Sequence, residues 1–278
     1  AMVCQSLLGK NYTFLGQPEL AAACFRGHLE SARAQDNRRE VATALNNLAT
    51  TMTTLRRPQE AERLLRECLT LRREMGDDPG LSSTLINLAV ALFNQGRYAE
   101  EKPLLAEAIE ISRRINQPRN LAGALGNLGT ILVREGQHEA ALKLFQQGLE
   151  IHRNSGYRYG AAIALDNVGT AHYHLGNERE ALYYLHQATR EARAIGADFV
   201  ALDAAVWLAG LAARQGDQEG ALARLGTIRR HPQVEPETVQ NIEKLLPQVA
   251  AGLSQRAVQA AEARSLHLTL DDLAPDAL

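Results

Sequence analysis

Residues 124–156 read ALGNLGTILVREGQHEAALKLFQQGLEIHRNSG, and this stretch decides the fold because its opening phrase is repeated along the chain. Near copies of that phrase occur at intervals of 40 residues, as ALNNLA (44–49), TLINLA (84–89) and ALDNVG (164–169). A weaker copy, AAVWLA (204–209), places Trp207 where the next asparagine would fall. A constant period of this length predicts a protein built from stacked repeats, which has no single closed core.

Three more series of residues share the 40-residue period. Their members are Gly96, Gly136, Gly176 and Gly216; Ala21, Ala61, Ala141, Ala181 and Ala221; and Arg33, Arg73, Arg113, Arg153 and Arg193. Arg56 interrupts the glycine series, and Glu101 interrupts the alanine series. Because independent series agree on one period, the repeat is a property of the whole region and not of a single motif.

Each repeat is predicted to form two helices. The apolar face of the first helix consists of Leu121, Leu125, Leu128 and Leu132. Steps of four and three residues keep these side chains on one side of a helix. The second helix has a similar face, formed by Ala141, Leu142, Phe145 and Leu149. Gly136 and Gly156 end the two helices, since glycine accepts the left-handed conformation that follows many helices, and Asn116 replaces glycine one repeat earlier.

We therefore predict an all-α fold, a right-handed superhelical solenoid of helix-turn-helix repeats. Residues 2–231 are predicted to form six helix pairs, the first of them incomplete. The two prolines of HPQVEPE (231–237) end the pattern. Residues 232–278 are predicted to form a helical capping segment, because a stacked array must cover the apolar end of its last repeat.

Charge and cysteine content restrict the classes of function. The net charge is −2, with 30 basic and 32 acidic residues intermixed, so no general attraction to nucleic acid or to an anionic membrane is expected. No stretch approaches the roughly 20 apolar residues of a membrane span. The three cysteines have no metal or redox spacing. Free cysteines of this kind favour a reducing compartment, and we expect a cytoplasmic protein.

The sequence contains no recognisable catalytic, cofactor or metal motif. It has no HExxH, no nucleophile elbow and no glycine-rich phosphate loop. His172 and His174 are two residues apart, so on a helix they point about 200° apart and do not share a metal ion. His172 is predicted to face the interior. We therefore expect a protein without enzymatic activity, cofactor or metal.

The phrase A-L-x-N-L-G, followed by G-x-x-x-x-A-L-x-x-F, resembles the tetratricopeptide repeat family. Six residues match signature positions of that family: Leu125, Leu128, Gly129, Gly136, Ala141 and Phe145. The resemblance covers about residues 2–231, although the usual period of the family is 34 residues. The 40-residue form is similar to the arrays of spindle-orientation adaptors, bacterial regulators and kinesin light chains.

The C-terminal segment carries a second resemblance. HPQVEPET, a helix and then AAEARSLHLTLDDL are similar to the ends of bacterial signal-transduction ATPases of the STAND class. In such proteins a nucleotide-binding switch precedes a C-terminal tetratricopeptide sensor. The resemblance implies that this chain is the sensor part and that an NTPase domain lies upstream in the parent protein. No P-loop is present here, so no nucleotide chemistry is expected in this chain.

The family resemblance also implies where a ligand binds, because the first helix of each pair lines the concave surface. The face of Asn127 also carries Gly123, Thr130 and Arg134, and we call this face and its equivalents in other repeats the polar stripe. Small polar residues dominate it. The candidate ligand-binding residues on or beside the stripe are Asn47, Asn87, Asn94, Asn127, Thr130, Arg134, Asn167, Thr170, Tyr173, His174, Trp207 and Arg214.

Two interpretations of the stripe remain open at this point. An asparagine side chain donates and accepts hydrogen bonds, so a row of them suits the backbone of an extended peptide. Alternatively, each asparagine bonds a neighbouring helix, which would offset the roughly 0.7 kcal/mol that asparagine costs in a helix relative to alanine. Trp207 either stacks on a ligand or packs under the C-terminal segment. Arg134 and Arg214 can bind carboxylates or phosphates. Their positions predict that the C-terminal half of the groove determines ligand specificity.

Three functions agree with these features. The first is a scaffold that binds a peptide or protein segment in the concave groove, within a larger signalling protein. The second is the sensor domain of a STAND regulator, which binds a small inducer. The third is self-assembly, because Leu7, Leu8 and Phe14 are predicted to be exposed on the first repeat, and exposed apolar surfaces favour association.

Overall fold

The structure, a computed structural model, describes residues 2–273. Those residues form helices and connecting turns, which confirms the predicted all-α fold class. The helices are α1 Met2–Phe14, α2 Pro18–Ala34, α3 Arg38–Thr54, α4 Pro58–Met75, α5 Asp78–Phe93, α6 Tyr98–Arg114, α7 Pro118–Arg134, α8 His138–Asn154, α9 Arg158–Leu175, α10 Glu178–Ala194, α11 Asp198–Arg214, α12 Gln218–Arg229, α13 Pro236–Ala250, α14 Gln255–Ser265 and α15 Leu270–Leu273. Residues 274–278 of the predicted capping segment lie outside the described residues. Among the described residues, no helix is long and apolar enough to cross a bilayer.

A residue with positive φ follows most helices of the repeat region. Asn116 adopts this conformation with φ 53°, as its position in the repeat predicts. Arg56 also adopts it, with φ 59°, at the place where the glycine series is interrupted. The backbone closes the helix end there; for example, the N–H of Gln137 donates to the carbonyl of Leu132 at 2.8 Å. The periodic glycines and their substitutes therefore fix where the helices end.

The first of two compact units comprises residues 1–131. Within it, helices α1 to α6 pack against one another in chain order, from the pair α1 and α2 to the pair α5 and α6. Helix α3 also contacts α5. The largest fully buried side chains of its core include Leu45, Met52, Leu65 and Leu88. The apolar faces of the helices thus form a shared core, as the spacing of apolar residues by three and four predicts.

The second unit comprises residues 132–278. Helices α8 to α12 pack in chain order, and α9 also contacts α11. The C-terminal helices continue this packing, since α13 contacts both α11 and α12, and α14 contacts α12. Ile242 and Leu245 of α13 are buried in the same core as Leu225 and Ile228 of α12. The capping function of this segment stays a prediction, but its apolar residues are part of the core.

Gly169 allows α9 and α10 to approach closely. A Cβ atom at Gly169 would lie 2.7 Å from Leu185 Cγ and 3.1 Å from the backbone nitrogen of Leu185. Because the second atom belongs to the backbone, a change of rotamer would not remove the contact. Small residues occupy the same position in the other repeats, namely Ala49, Ala89, Gly129 and Ala209.

We expect the free energy of unfolding of the Gly169→Ala variant to be about 1 kcal/mol lower than that of the wild type. Overpacking costs roughly 1–3 kcal/mol, and the better helix propensity of alanine offsets part of this cost. Gly126→Ala is the matched control. No atom lies within 4 Å of a Cβ at Gly126, so this variant should be more stable by up to about 1 kcal/mol. Urea denaturation measures the free energy of unfolding of both variants. Equal changes in the two variants would contradict the close approach of α9 and α10 at Gly169.

Candidate functional site

In the first unit, the polar stripe is partly used for contacts between helices. The side-chain amide of Asn87 donates to Asn46 Oδ1 at 3.0 Å and joins α5 to α3. The structural interpretation therefore applies to Asn87. Asn47 differs, because its Nδ2 is buried and has no hydrogen-bond partner. Such an unpaired donor is unfavourable by about 1–3 kcal/mol, and a ligand role for Asn47 stays a prediction.

The other predicted residues of this unit keep acceptor atoms available on the stripe. Asn94 is exposed, whereas Asn127 and Thr130 are half-buried. The hydroxyl of Thr130 donates to the carbonyl of Gly126 at 3.2 Å, and Thr50 makes the same kind of bond to Asn46 at 2.9 Å. Since the threonine protons are used within their own helices, the hydroxyl oxygens can only accept from a ligand.

In the second unit, the predicted site residues form a cluster of rings. The ring centroid of Trp207 lies 5.0 Å from that of Tyr173 and 4.9 Å from that of His174. His138 stacks on His174 at 4.8 Å. The Arg214 guanidinium lies 3.8 Å from the centroid of the Tyr173 ring, and Arg214 Nη1 donates to the Tyr173 carbonyl at 3.1 Å. Four of these residues, Tyr173, His174, Trp207 and Arg214, are candidate ligand-binding residues from the sequence, and the structure brings them together with His138, which was not a candidate.

Trp207 and Tyr173 of this cluster are buried, whereas His174 and Arg214 are exposed. Trp207 is 7% exposed and Tyr173 is 4% exposed, and both belong to the core that includes Leu245 of the C-terminal segment. This burial agrees with the second interpretation of Trp207, packing under that segment. The indole N–H of Trp207 has no hydrogen-bond partner. Asn167 and Thr170 lie half-buried on the same stripe, and their predicted contact with a ligand remains untested.

Helix α13 lies against the polar stripe of the second unit, which the sequence did not predict. Arg134 Nη2 donates to Glu237 Oε1 at 2.7 Å, so the start of α13 is tied to the end of α7. Burial and the charge of Glu237 raise the pKa of Asp203, and hydrogen bonds from Thr238 and Asn241, further along α13, act in the opposite direction. Both Arg134 and Asp203 are stripe residues. The polar face of α13 therefore contacts two of the stripe positions that a ligand would contact.

The apolar face of α13 approaches the same stripe at Gly210. A Cβ atom at Gly210 would lie 3.1 Å from Leu245 Cδ2 and 2.8 Å from the hydroxyl oxygen of Tyr173. The equivalent stripe residues in the two preceding repeats are Thr130 and Thr170. Replacement of threonine by glycine removes the side chain where α13 comes close. This exchange is the sequence signal that could have indicated the contact.

Two buried carboxyl groups lie beneath α13. The Oδ1 atoms of Asp166 and Asp203 are both buried without a hydrogen-bond partner. Burial, and then the charge of Glu237, raise the pKa of Asp203 to about 6. Burial, and then the charge and hydrogen bond of Asp203, raise the pKa of Asp166 well above its ordinary value. The two carboxyl groups therefore hold a proton between them under mildly acidic conditions.

Other predicted features of the chain are placed as follows. His172 is buried, stacks on Tyr184 with a centroid distance of 5.5 Å and bonds Asn177 at 3.2 Å, which agrees with its predicted interior position. On α1, the side chains of Leu7, Leu8 and Phe14 are 56%, 47% and 91% exposed. Within the described part of the chain, no group of three or more potential metal ligands occurs.

Comparison with known proteins identifies the repeat. A sequence profile described as tetratricopeptide repeat matches residues 3–74, 40–114 and 120–194. These segments together cover more than half of the chain. No curated protein sequence matches it.

Solved structures with low sequence identity share the fold. An aspartyl phosphate phosphatase F from Bacillus subtilis has a TM-score of 0.69 at 15% identity, over 96% of this chain and 68% of that one. A Rap protein complexed with Competence and Sporulation Factor has a TM-score of 0.68 at 13% identity, over 93% and 74%. A STAND protein with a tetratricopeptide repeat sensor from Pyrococcus horikoshii has a TM-score of 0.68 at 17% identity, over 95% and 41%. The chain thus spans less than half of that STAND protein.

Proposed function

The chain belongs to the tetratricopeptide repeat family, and from this premise we propose that it is a non-catalytic scaffold that binds a peptide or protein segment on its polar stripe. The proposal includes a regulatory position within a larger signalling protein. The observation that carries it is helix α13, a segment of the chain itself that lies on the stripe of the second unit. A surface that accepts one amphipathic segment has the chemistry to accept another.

The contacts of α13 define the kind of segment that the stripe accepts. Near its start, the segment needs a carboxylate for Arg134, as Glu237 provides at 2.7 Å. One turn later it needs side chains that donate to Asp203, as Thr238 and Asn241 do. About two turns further it needs an apolar side chain opposite Gly210, where Leu245 lies. We infer that a partner segment with this pattern competes with α13 for the stripe.

The test uses a labelled synthetic peptide with the sequence of residues 235–250, EPETVQNIEKLLPQVA. The full-length chain carries Glu237→Ala and Leu245→Ala, which weaken the contacts of its own α13. Fluorescence anisotropy should show saturable binding in trans, with a Kd on the order of 10 μM. The wild-type chain should bind the peptide at least about tenfold more weakly, because its own α13 has a high effective concentration.

Two controls make this experiment specific. A peptide that carries the same two alanine substitutions should bind no better than a scrambled peptide. In the weakened chain, Asn127→Ala combined with Asn167→Ala should reduce affinity by about tenfold, or 1.4 kcal/mol, while the melting temperature stays the same. Equal binding of the native and substituted peptides would contradict a peptide site on the stripe.

Two other functions have support from single observations. A small-molecule sensor is favoured by the likeness to the STAND protein with a tetratricopeptide repeat sensor. Self-assembly is favoured by the exposed side chains of Leu7, Leu8 and Phe14 on α1. Native mass spectrometry of the freshly purified chain distinguishes the three. Retention of a peptide mass supports the scaffold, retention of a metabolite mass supports the sensor, and a dimer that Phe14→Ser dissociates supports self-assembly.

A further inference from the structure

A cavity lined by arginines lies in the second unit, between the C-terminal end of α8, the N-terminal half of α9 and the C-terminal part of α10. Its volume is about 350 Å³, which is in the size range of small-molecule sites. The residues that give it its chemistry are Arg153, Arg158, Gln187, Arg190, Glu191 and His152. The part of α9 that lines it carries Ala161 and Leu165, neither of which is a stripe residue.

The cavity has an excess of positive charge. Arg158 Nη2 forms an ion pair with Glu191 Oε2 at 2.9 Å, which leaves the charges of Arg153 and Arg190. Arg153 Nη2 donates to Gln187 Oε1 at 3.1 Å, and this partner is neutral. Arg190 is exposed and has no ion pair within the part of the chain that the structure describes. Three arginines therefore face a single glutamate.

The corresponding places in the first unit are neutralised. There, Arg33 pairs with Glu67 at 2.5 Å and Arg73 pairs with Glu107 at 2.8 Å. Gln187 stands at the same distance along the chain from Arg153 as these glutamates do from their arginines. Gln187 therefore places a neutral amide where Glu67 and Glu107 place a carboxylate, and Gln147 has the same spacing from Arg113.

Arg190 reverses a charge at a second position of the same cavity. Its equivalents at intervals of 40 residues are Glu30, Glu110 and Glu150, with threonine at position 70 and arginine at position 230. Stabilisation of a helix end by a basic residue explains Arg153, which lies in the last turn of α8. It does not explain Arg158, at the first residue of α9, where the helix dipole disfavours a cation. The cavity brings three arginines together with one glutamate, and this excess of positive charge suits an anion.

We propose that this cavity binds a small phosphate-bearing molecule, with Arg153, Arg158 and Arg190 as its anion-binding residues. Guanidinium groups bind phosphate oxygens through paired, charge-assisted hydrogen bonds. Gln187 adds a side-chain amide that can donate to the same oxygens. Ala161 and Leu165 offer apolar contact for the rest of the molecule. This site is independent of the polar stripe and of the proposed peptide function.

Isothermal titration calorimetry of the full chain with pyrophosphate tests the proposal. We expect one saturable site with a Kd below about 1 mM. Arg190→Glu restores the residue type found in three other repeats, and it should weaken binding by at least about tenfold, because it replaces a charge-assisted hydrogen bond with repulsion. Gln187→Glu restores the glutamate of the first unit and should weaken binding in the same direction.

Arg179→Glu is the matched control, since Arg179 is an exposed residue at the other end of α10. It changes the net charge by the same amount and should leave the Kd within about twofold. Circular dichroism melts establish whether the variants are folded. If Arg190→Glu does not fold, Gln187→Glu still tests the proposal. No saturable heat with the wild type, or equal losses for Arg190→Glu and Arg179→Glu, would overturn the proposal.

Discussion

Replacement of Leu245 by alanine is expected to lower the free energy of unfolding by about 3 kcal/mol. Leu245 is 4% exposed and packs in the core that includes Trp207 and Tyr173. Its Cδ2 lies against Gly210, which has no side chain to fill the space left by the substitution. A cavity would therefore remain between α13 and α11, and such cavities add to the lost transfer free energy.

Amide hydrogen exchange followed by mass spectrometry locates the effect. In the Leu245→Ala variant, peptides from α13 should exchange faster by about two orders of magnitude if opening of α13 is local, since 1.4 kcal/mol corresponds to a factor of ten. Gln240→Ala is the control, because Gln240 is an exposed residue of the same helix. It should change stability by no more than about 0.5 kcal/mol. Similar exchange in both variants would show that Leu245 does not hold α13 on the stripe.

The repeat helices could be predicted from sequence because their signals are local. Four leucines from Leu121 to Leu132 and the glycine at 136 predict a helix that the structure places at Pro118–Arg134. Asn116 was expected to substitute for glycine, and its φ of 53° agrees. In each case the deciding interactions lie within one or two turns of the residue concerned, so the periodic pattern contains the necessary information.

The position of α13 could not be predicted in the same way. Its sequence shows an amphipathic helix, but amphipathicity does not say which apolar surface the helix will cover. We expected the C-terminal segment to cover the end of the last repeat, whereas α13 also reaches Arg134, two repeats away. In the sequence, this stripe differs from those of the two preceding repeats by glycine instead of threonine at 210, by tryptophan instead of asparagine at 207 and by the aspartate at 203.

The buried carboxyl pair also escaped prediction, and it leads to a second large effect. In the sequence, Asp166 is a lone negative charge next to Asn167, and nothing in the 40-residue period places it beside Asp203. The structure buries the Oδ1 atoms of both groups under the start of α13, beside the ion pair of Glu237 with Arg134. Because α13 supplies Thr238 and Asn241 to Asp203, the charge state of the pair is linked to the attachment of α13.

The sign of the pH dependence follows from the raised pKa of both groups. The pKa of Asp203 is about 6 in the folded protein, above its ordinary value of 3.8, and that of Asp166 is raised as well. The folded state therefore keeps protons that the unfolded state releases, so the contribution of these groups to stability falls as the pH rises from about 4 to above 6. His174 acts in the opposite direction, because burial, and then the charges of His138, Arg214 and Lys244, lower its pKa to about 4.

A comparison of variants separates these opposing effects. Asp203→Asn keeps the size of the side chain, removes its charge and leaves His174 in place. At pH 7.5 this variant should be more stable than the wild type by on the order of 2 kcal/mol, since a shift of one pKa unit corresponds to 1.36 kcal/mol. At pH 4.5, where the folded carboxyl is protonated but the unfolded one is still mostly ionised, the difference should fall to about a third of this value.

Asp198→Asn, at the first residue of the same helix, is the matched control, and its difference from the wild type should not vary between the two pH values. Urea denaturation at pH 4.5 and 7.5 gives the difference in unfolding free energy between each of the two variants and the wild type at each pH. If Asp203→Asn instead destabilises the protein equally at both pH values, the Asp203 carboxylate has enough hydrogen-bond partners in the folded protein. Its interactions then stabilise the attachment of α13. If the gain in stability is clearly larger at pH 7.5 than at pH 4.5, the ionised pair opposes the attachment of α13, and a rise in pH loosens the helix that covers the stripe.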